Sequence, residues 1–324
     1  MQTPPVKRGF AFLESSLPKQ GLRANCVSAY SGVEVGYSAG IALKFTEGRG
    51  AGCGSQRGNA RQIIREWCYC GHRVATGIIG NGIHGIVFAV GLDIYVGSLT
   101  RYYAGDWELV SQKLAHEMGI PVQVVRQNDP SDAIRDPDQI RPIVIAWRDG
   151  LSASLADHGV PPLDWDEGPT APYFTDKPTW DCYSDLILWA AYNEHRDLCR
   201  PIEHIDDWTT DPAYRLASVP GLASRYSDLF DVGLWLPCNP GFVFKAEDVG
   251  GTEVCIGSSE RLLKQLQELN ARTWQMDTEL LHRSRNAGVE HDSPMEVGAK
   301  FALSVFSELA EVSVRHRLPM CLDW

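Results

Sequence analysis

Carboxylates and imidazoles are concentrated between Glu194 and Asp211, where His195 and His204 stand among acidic residues. These side chains bind divalent metals and transfer protons in acid–base catalysis. Their spacing does not match HExxH or another pattern that places ligands on one helix face, and arginines lie between the acids. The pattern favours a salt-bridged, solvated surface, and a metal-dependent enzyme built on His195 and His204 stays open as an alternative.

Two acidic segments that each contain a tryptophan indicate a different use of this part of the chain. Tryptophans anchor protein interfaces, and a surrounding field of one charge speeds association with a partner of the opposite charge. We therefore predict that these segments bind a basic protein. The predicted contact residues are Asp164, Trp165, Asp166, Glu203, Asp206, Asp207 and Trp208. The simpler alternative is a core tryptophan beside a solvated acidic loop.

A group of thiols with a nearby imidazole has the ligand types of a zinc site. Cys53, Cys68, Cys70 and His72 lack the CxxC spacing of zinc knuckles, so thiols on either side of a strand are favoured. The nine cysteines are odd in number and irregularly spaced, which is typical of reduced cytosolic thiols. The chain also lacks GxGxxG after a strand, a P-loop and the kinase motifs, so we predict no cofactor.

The run Gly36-Tyr-Ser-Ala-Gly40 is a GxSxG motif that follows an alternating apolar stretch. In α/β-hydrolases and patatin-like lipases this motif forms a strand–turn–helix elbow that exposes a nucleophilic serine. Asp149, followed by glycine, resembles the patatin-like catalytic aspartate. Only 37 residues precede Ser38, and no Gly-rich oxyanion loop lies upstream. A serine hydrolase that uses Ser38 and Asp149 therefore stays as the alternative enzyme class.

Composition excludes several other classes. The 324 residues are 44% hydrophobic, which is enough for a substantial core, and the net charge is −11. Negative charge disfavours nucleic acid and anionic membranes, because both bind through Lys and Arg. The apolar run from Val74 to Val90 contains Asn81, His84 and four glycines, so buried strands are favoured over a membrane span. No apolar stretch follows Met1, and we predict a cytoplasmic protein.

Charge divides the chain near residue 105. Residues 1–105 hold 11 Lys and Arg against 5 Asp and Glu, and residues 106–324 hold 19 against 36, so the two parts carry +6 and −17. We predict a basic, Gly-rich β-type segment over 1–105 and an acidic globular domain over 106–324. Because the next methionine after Met1 is Met118, the alternative that the first part is an extension stays open.

The periodicity of apolar residues predicts an α+β fold, with a mixed or antiparallel sheet packed with amphipathic helices. Helices are expected over 106–119, 179–198 and 259–274, and after Ser293, where Ser293, Pro294 and Glu296 match a capping box. Strands are expected over 120–125, 140–147, 234–236 and 320–324, with a long loop over 150–178. A hairpin over 242–256 is expected to turn at Gly250-Gly251 through a tight primed turn.

The C-terminal part resembles a bacterial family. Leu234-Trp-Leu-Pro237, Phe242-Val-Phe244, Val254-Cys-Ile-Gly-Ser258 and Leu262 to Trp274 resemble uncharacterised bacterial proteins that look like immunity proteins of polymorphic and type VI secretion toxins. The resemblance covers about a quarter of the chain. It implies a non-enzymatic bacterial protein that neutralises a toxin by occluding it, often with an acidic surface.

Overall fold

The computed structural model describes residues 41–45, 74–79, 83–89, 92–117, 122–126, 135–219, 224–290 and 293–323. Within these residues helices and strands alternate irregularly, which confirms the predicted α+β class. The strands are β1 Ile41–Phe45, β2 Val74–Ile79, β3 Ile83–Ala89, β4 Asp93–Val96, β5 Val122–Arg126, β6 Phe174–Asp176, β7 Leu234–Leu236, β8 Phe244–Glu247, β9 Glu253–Ser258 and β10 Met320–Asp323. The α-helices are α1 Leu99–Ala104, α2 Val110–Glu117, α3 Pro137–Ala156, α4 Trp180–Glu194, α5 Pro212–Ala217, α6 Ser259–Arg272, α7 Thr278–Ala287 and α8 Met295–His316.

The first sheet has the strand order β2-β3-β1-β5, and each neighbouring pair is antiparallel. The strands β2 and β3 occupy the apolar run over 74–90, as predicted. Among the helices that the structure describes, none is long and apolar enough to cross a membrane.

The second sheet has the order β6-β4-β10-β7-β9-β8 and is antiparallel except between β7 and β9. Alternate residues of its strands enter two separate cores. Ile94, Met320 and Trp235 pack with α4, α6 and α8, whereas Tyr95 and Cys321 face α1 and α3 on the other side. Because side chains alternate across a strand, the sheet is covered by helices on both faces. We call these the α4/α8 face and the α3 face.

Strand pairing crosses residue 105 in both directions. The strand β4 and helix α1 precede this residue, yet β4 pairs with β6 and β10 of the second sheet. The strand β5 follows it but pairs with β1 of the first sheet. The change in composition at residue 105 therefore does not coincide with a change of sheet, and the domain division stays a prediction.

The expected strand over 140–147 is wrong, because this stretch lies inside helix α3. Asp136 caps the helix by accepting from the Asp138 amide, and Pro137 occupies its first turn. The buried residues of α3 are Ile140, Val144, Leu151 and Leu155, whose spacing is helical. Pro142 is exposed, so the Asp138 carbonyl that it leaves without an amide partner lies at the solvated side. The helix also shortens the predicted 150–178 loop to residues 157–173.

Two local details differ from the sequence prediction. In the β8–β9 hairpin only Gly251 has a positive φ, of 81°, and the Asp248 carboxylate accepts from the Thr252 amide across the turn. A longer loop thus replaces the predicted primed turn. At α8 the helix begins at Met295 with Pro294 as N-cap and without a side-chain cap, because the Glu296 carboxylate bonds to Lys300 and Trp274 instead. The capping box is therefore not formed.

Other elements lie near their predicted positions, whereas helices α1, α5 and α7 and strands β4 and β6 were not predicted. Helix α4 begins after Thr179 and ends at Glu194, and α6 buries Leu262, Leu266 and Leu269 on one face. The strands β5, β7 and β10 lie within one or two residues of their expected positions. The helix expected from residue 106 begins later, at Val110.

Candidate functional site

The predicted contact residues from Glu203 to Trp208 lie in a loop on the α4/α8 face, which we call the acidic loop (residues 202–211). Hydrogen bonds at three of its residues hold this loop in place. The Ile202 carbonyl accepts from the Met295 amide at 3.1 Å, and His204 Nδ1 lies 2.8 Å from Asp185 Oδ1. At its end, Asp211 accepts from the Tyr192 hydroxyl at 2.8 Å and caps α5. The loop is thus held at both ends and in its middle.

The acidic loop exposes its charges together with one large apolar side chain. Glu203, Asp206 and Asp207 are all exposed, and the Asp206 side chain is 98% exposed. Ile202 is 76% exposed, the largest value among the exposed large hydrophobic residues that the structure describes. An exposed apolar side chain on a held backbone, beside exposed carboxylates, is the arrangement of an interface anchor with a charged rim.

Trp208 packs against a residue that follows the acidic loop. Its ring is half-buried and packs edge-on against Tyr214, with 4.6 Å between the ring centroids. Asp207, next to it, accepts from the Thr209 and Thr210 hydroxyls through its carboxylate and its carbonyl. The tryptophan therefore stabilises the short 3₁₀ turn over Trp208–Thr210 and offers only part of its surface to a partner.

The other predicted segment, from Asp164 to Asp166, lies apart from the acidic loop. Trp165 is 5% exposed in the core of the α3 face, where its indole donates to Glu167 Oε1 at 2.5 Å. Glu167 also accepts from two amides at the start of α1. Asp164 and Asp166 are exposed, and Asp164 lines a cleft with Cys238, Glu260 and Arg317 that contains no residue of the acidic loop. Here the simpler alternative, a core tryptophan beside solvated acids, describes the geometry.

His204 is enclosed by three carboxylates. Besides the 2.8 Å contact with Asp185, its Nε2 lies 3.9 Å from Asp181 and 3.8 Å from Asp206. The hydrogen bond to Asp185 raises the pKa of His204, whereas burial raises the pKa of Asp185 itself. We assign the proton to His204, because the short contact and the two further acids all favour the imidazolium.

The metal-site hypothesis finds no support in the arrangement of these residues. His195 ends α4, and its Nε2 is buried without a hydrogen-bond partner among the described residues. In the part of the chain that the structure describes, no group of three or more His, Cys, Asp or Glu side chains is placed to hold a metal ion. His204 instead attaches the acidic loop to α4.

Other residues predicted from the sequence lie in α3 or outside the described part of the chain. Ser38, Cys53, Cys68, Cys70 and His72 lie outside the described residues. Asp149 and Gly150 are part of helix α3. The Asp149 side chain is exposed, and its Oδ1 lies 3.7 Å from Arg148 Nε. The described cysteines, Cys182, Cys199, Cys238, Cys255 and Cys321, form no disulfide with one another.

Sequence analysis missed a buried ion pair between Asp93 and Lys177. The two residues are 84 positions apart in the chain, and Lys177 Nζ lies 3.8 Å from Asp93 Oδ2. Burial raises the pKa of Asp93 to about 6 and lowers the pKa of Lys177. A cleft of about 240 Å³ passes beside Lys177 and Thr179, whose φ of 60° is strained for a β-branched residue. Both charged side chains are buried, and their ion pair connects strand β4 to the residue that follows strand β6.

No protein-family model matches the chain, and neither a curated protein nor a solved structure is significantly similar to it.

Proposed function

We propose that this protein binds a basic protein partner through the acidic loop. The observation that carries the proposal is Ile202, which is 76% exposed although its own carbonyl is fixed by the Met295 amide. Exposed apolar residues usually stand alone on a surface, but Glu203, Asp206 and Asp207 follow this one in the sequence and are also exposed. An apolar anchor beside a cluster of negative charge suits a partner of the opposite charge.

The energetics agree with this assignment. Burying an isoleucine side chain fully contributes about 1.5–3 kcal/mol. Because hydrogen bonds at Ile202, His204 and Asp211 already hold the loop, little conformational entropy is lost when a partner docks. The carboxylates add long-range attraction, which raises the association rate at low salt.

Toxin neutralisation by occlusion is the most concrete form of this proposal. The resemblance to bacterial immunity proteins supports it, and the residues that carry the resemblance form β7, β8, β9 and α6. A basic, nucleic-acid- or lipid-directed toxin would present the positive surface that the acidic loop requires. A non-enzymatic role and a cytoplasmic location belong to the same proposal.

The test is affinity purification of tagged protein from the organism that encodes it, at low and moderate salt, followed by mass spectrometry. The test variant is Asp206→Lys/Asp207→Lys. The matched control is Asp164→Lys/Asp166→Lys, which changes the net charge equally but alters exposed acids outside the acidic loop.

We expect a stoichiometric basic protein that is recovered with the wild type and the control and is lost at moderate salt. The Asp206/Asp207 variant should recover much less of it. Equal recovery with both double variants, or recovery of the wild type alone at either salt, would contradict the proposal.

A further inference from the structure

A pocket rich in arginine lies on the α4/α8 face, between the last turns of α4 and α6 and the first turn of α8. Its volume is about 440 Å³, within the range of small-molecule sites. Arg196, Arg200 and Arg272 line it, together with Trp189 and Trp274. We call it the arginine pocket.

Aromatic rings hold the central arginine in place. The Arg200 guanidinium carbon lies 3.4 Å from the centre of the Trp189 ring, and Trp189 stacks on Trp274 with 4.9 Å between ring centroids. Lys300 Nζ lies 5.7 Å from the centre of the Trp274 ring. Both tryptophans therefore already have partners, and cation–π attraction holds Arg200 against the Trp189 ring.

Most N–H donors of the three arginines have no acceptor. Within the described residues, Arg200 makes no hydrogen bond or ion pair. Arg196 uses only Nε, toward the Asn193 carbonyl, and Arg272 uses only Nε, toward Glu268. The one carboxylate in the lining, Glu296, is already bound by Lys300 and the Trp274 indole. The pocket thus presents unused donors and a local excess of positive charge.

A second observation concerns Trp189, which lines the pocket. Trp189 is 4% exposed, and its indole N–H has no hydrogen-bond partner among the described residues. A buried donor without an acceptor is costly, and native proteins rarely leave one. The positive charge is also unusual here, because residues 106–324 carry −17 overall. Glu268, the acid that pairs with Arg272, is shared with Arg225, and Glu296 is bound by Lys300, so the acids beside the pocket do not balance its arginines.

We propose that the arginine pocket binds the phosphate group of a small phosphorylated molecule. Guanidinium groups bind phosphate through paired hydrogen bonds, and Arg200 is held against the Trp189 ring with its N–H donors unused within the described residues. Arg196 and Arg200, which have no ion pair within the described residues, carry two positive charges, and a phosphate monoester carries nearly two negative charges at neutral pH. The concave shape favours a small molecule over an extended chain.

The test is calorimetric titration of the full chain with inorganic phosphate at constant ionic strength. Succinate, a dianion of two carboxylates, serves as the charge-matched comparison. The variants are Arg200→Gln and Arg196→Gln, and the control is Arg283→Gln, which removes the same charge from exposed α7, where Arg283 pairs with Glu279.

We expect saturable binding of phosphate to the wild type, weakened about tenfold or more by Arg200→Gln and less than about twofold by Arg283→Gln. Arg196→Gln should also weaken binding, and it keeps the test decisive if the Arg200 variant does not fold. Absence of saturable phosphate binding, equal weakening by the control, or tighter binding of succinate would overturn the proposal.

Discussion

Asp228 shows how one buried carboxylate can organise several elements. It is fully buried, and burial raises its pKa. Its oxygens accept from the Ser258 amide at 2.8 Å, from Gln265 at 2.9 Å and from Arg261 at 2.9 Å. These contacts attach the segment before β7 to the junction of β9 and α6, so each acceptor position of the carboxylate is in use.

Removing this carboxylate should therefore destabilise the fold strongly. We expect Asp228→Ala to lower the free energy of unfolding by about 3–5 kcal/mol, because Arg261 would lose its buried partner. Urea denaturation measures the change. As the control, Asp164→Ala removes an exposed carboxylate and should change stability by less than about 0.5 kcal/mol. Similar losses in the two variants would contradict the assigned role of Asp228.

His204 makes stability depend on pH. Because its pKa in the folded protein is raised above the ordinary value of 6.5, the imidazolium stabilises the fold at pH below 6.5. This stabilisation is lost as the pH rises through the folded pKa. The acids that face the ring are Asp181, Asp185 and Asp206. We expect His204→Gln to reduce the fall in stability that urea denaturation detects between mildly acidic and alkaline pH. A variant with the wild-type slope would show that His204 is not the responsible group.

At the scale of elements, α3 shows where reading the sequence fails. A strand was predicted over 140–147, yet the spacing of Ile140, Val144 and Leu151 is helical, and Asp136-Pro137 is a helix start. Pro142 lies inside the helix, where its missing amide is tolerated on an exposed face. The helices α4, α6 and α8 were predictable, because their apolar positions recur over many turns.

The packing of α4 against α8 depends on a glycine. A Cβ atom at Gly298 would collide with the Asp185 carboxylate, which His204 already holds. We expect Gly298→Ala to destabilise the protein by about 1–3 kcal/mol in thermal or urea unfolding.

Gly150, inside helix α3, is the matched comparison. A Cβ there would meet nothing within 4 Å, so Gly150→Ala should stabilise the protein by about 0.5–1 kcal/mol through better helix propensity. The two substitutions are chemically identical, and effects of the same sign would contradict the packing described for α4 and α8.

At the scale of the whole molecule, the second sheet determines which of the predicted contact residues lie on the same face. Composition predicted an acidic surface, and the sequence located its two segments. It could not predict that Trp165 enters the α3 face while Trp208 lies on the α4/α8 face, because strand order joins residues far apart in the chain. The arginine pocket was missed for the same reason, since Arg200 and Arg272 meet only through the packing of α4, α6 and α8.

The distribution of charge is also a property of the whole molecule. The acidic loop and the arginine pocket lie on one face of the second sheet, and Arg200 stands two residues before Ile202. Opposite charges thus occupy neighbouring but separate places, one suited to a basic protein and the other to a phosphate. Binding at either place can be altered without changing the residues of the other.

The most direct test of the acidic loop as a binding surface is the association rate constant with the copurified basic partner, measured at several salt concentrations. We predict that the wild-type rate falls steeply as salt rises. For Asp206→Lys/Asp207→Lys the rate should be lower at low salt and depend less on salt, while Asp164→Lys/Asp166→Lys should behave nearly as the wild type. A rate that does not depend on salt, or one that the Asp206/Asp207 substitutions leave unchanged, would contradict the proposed surface.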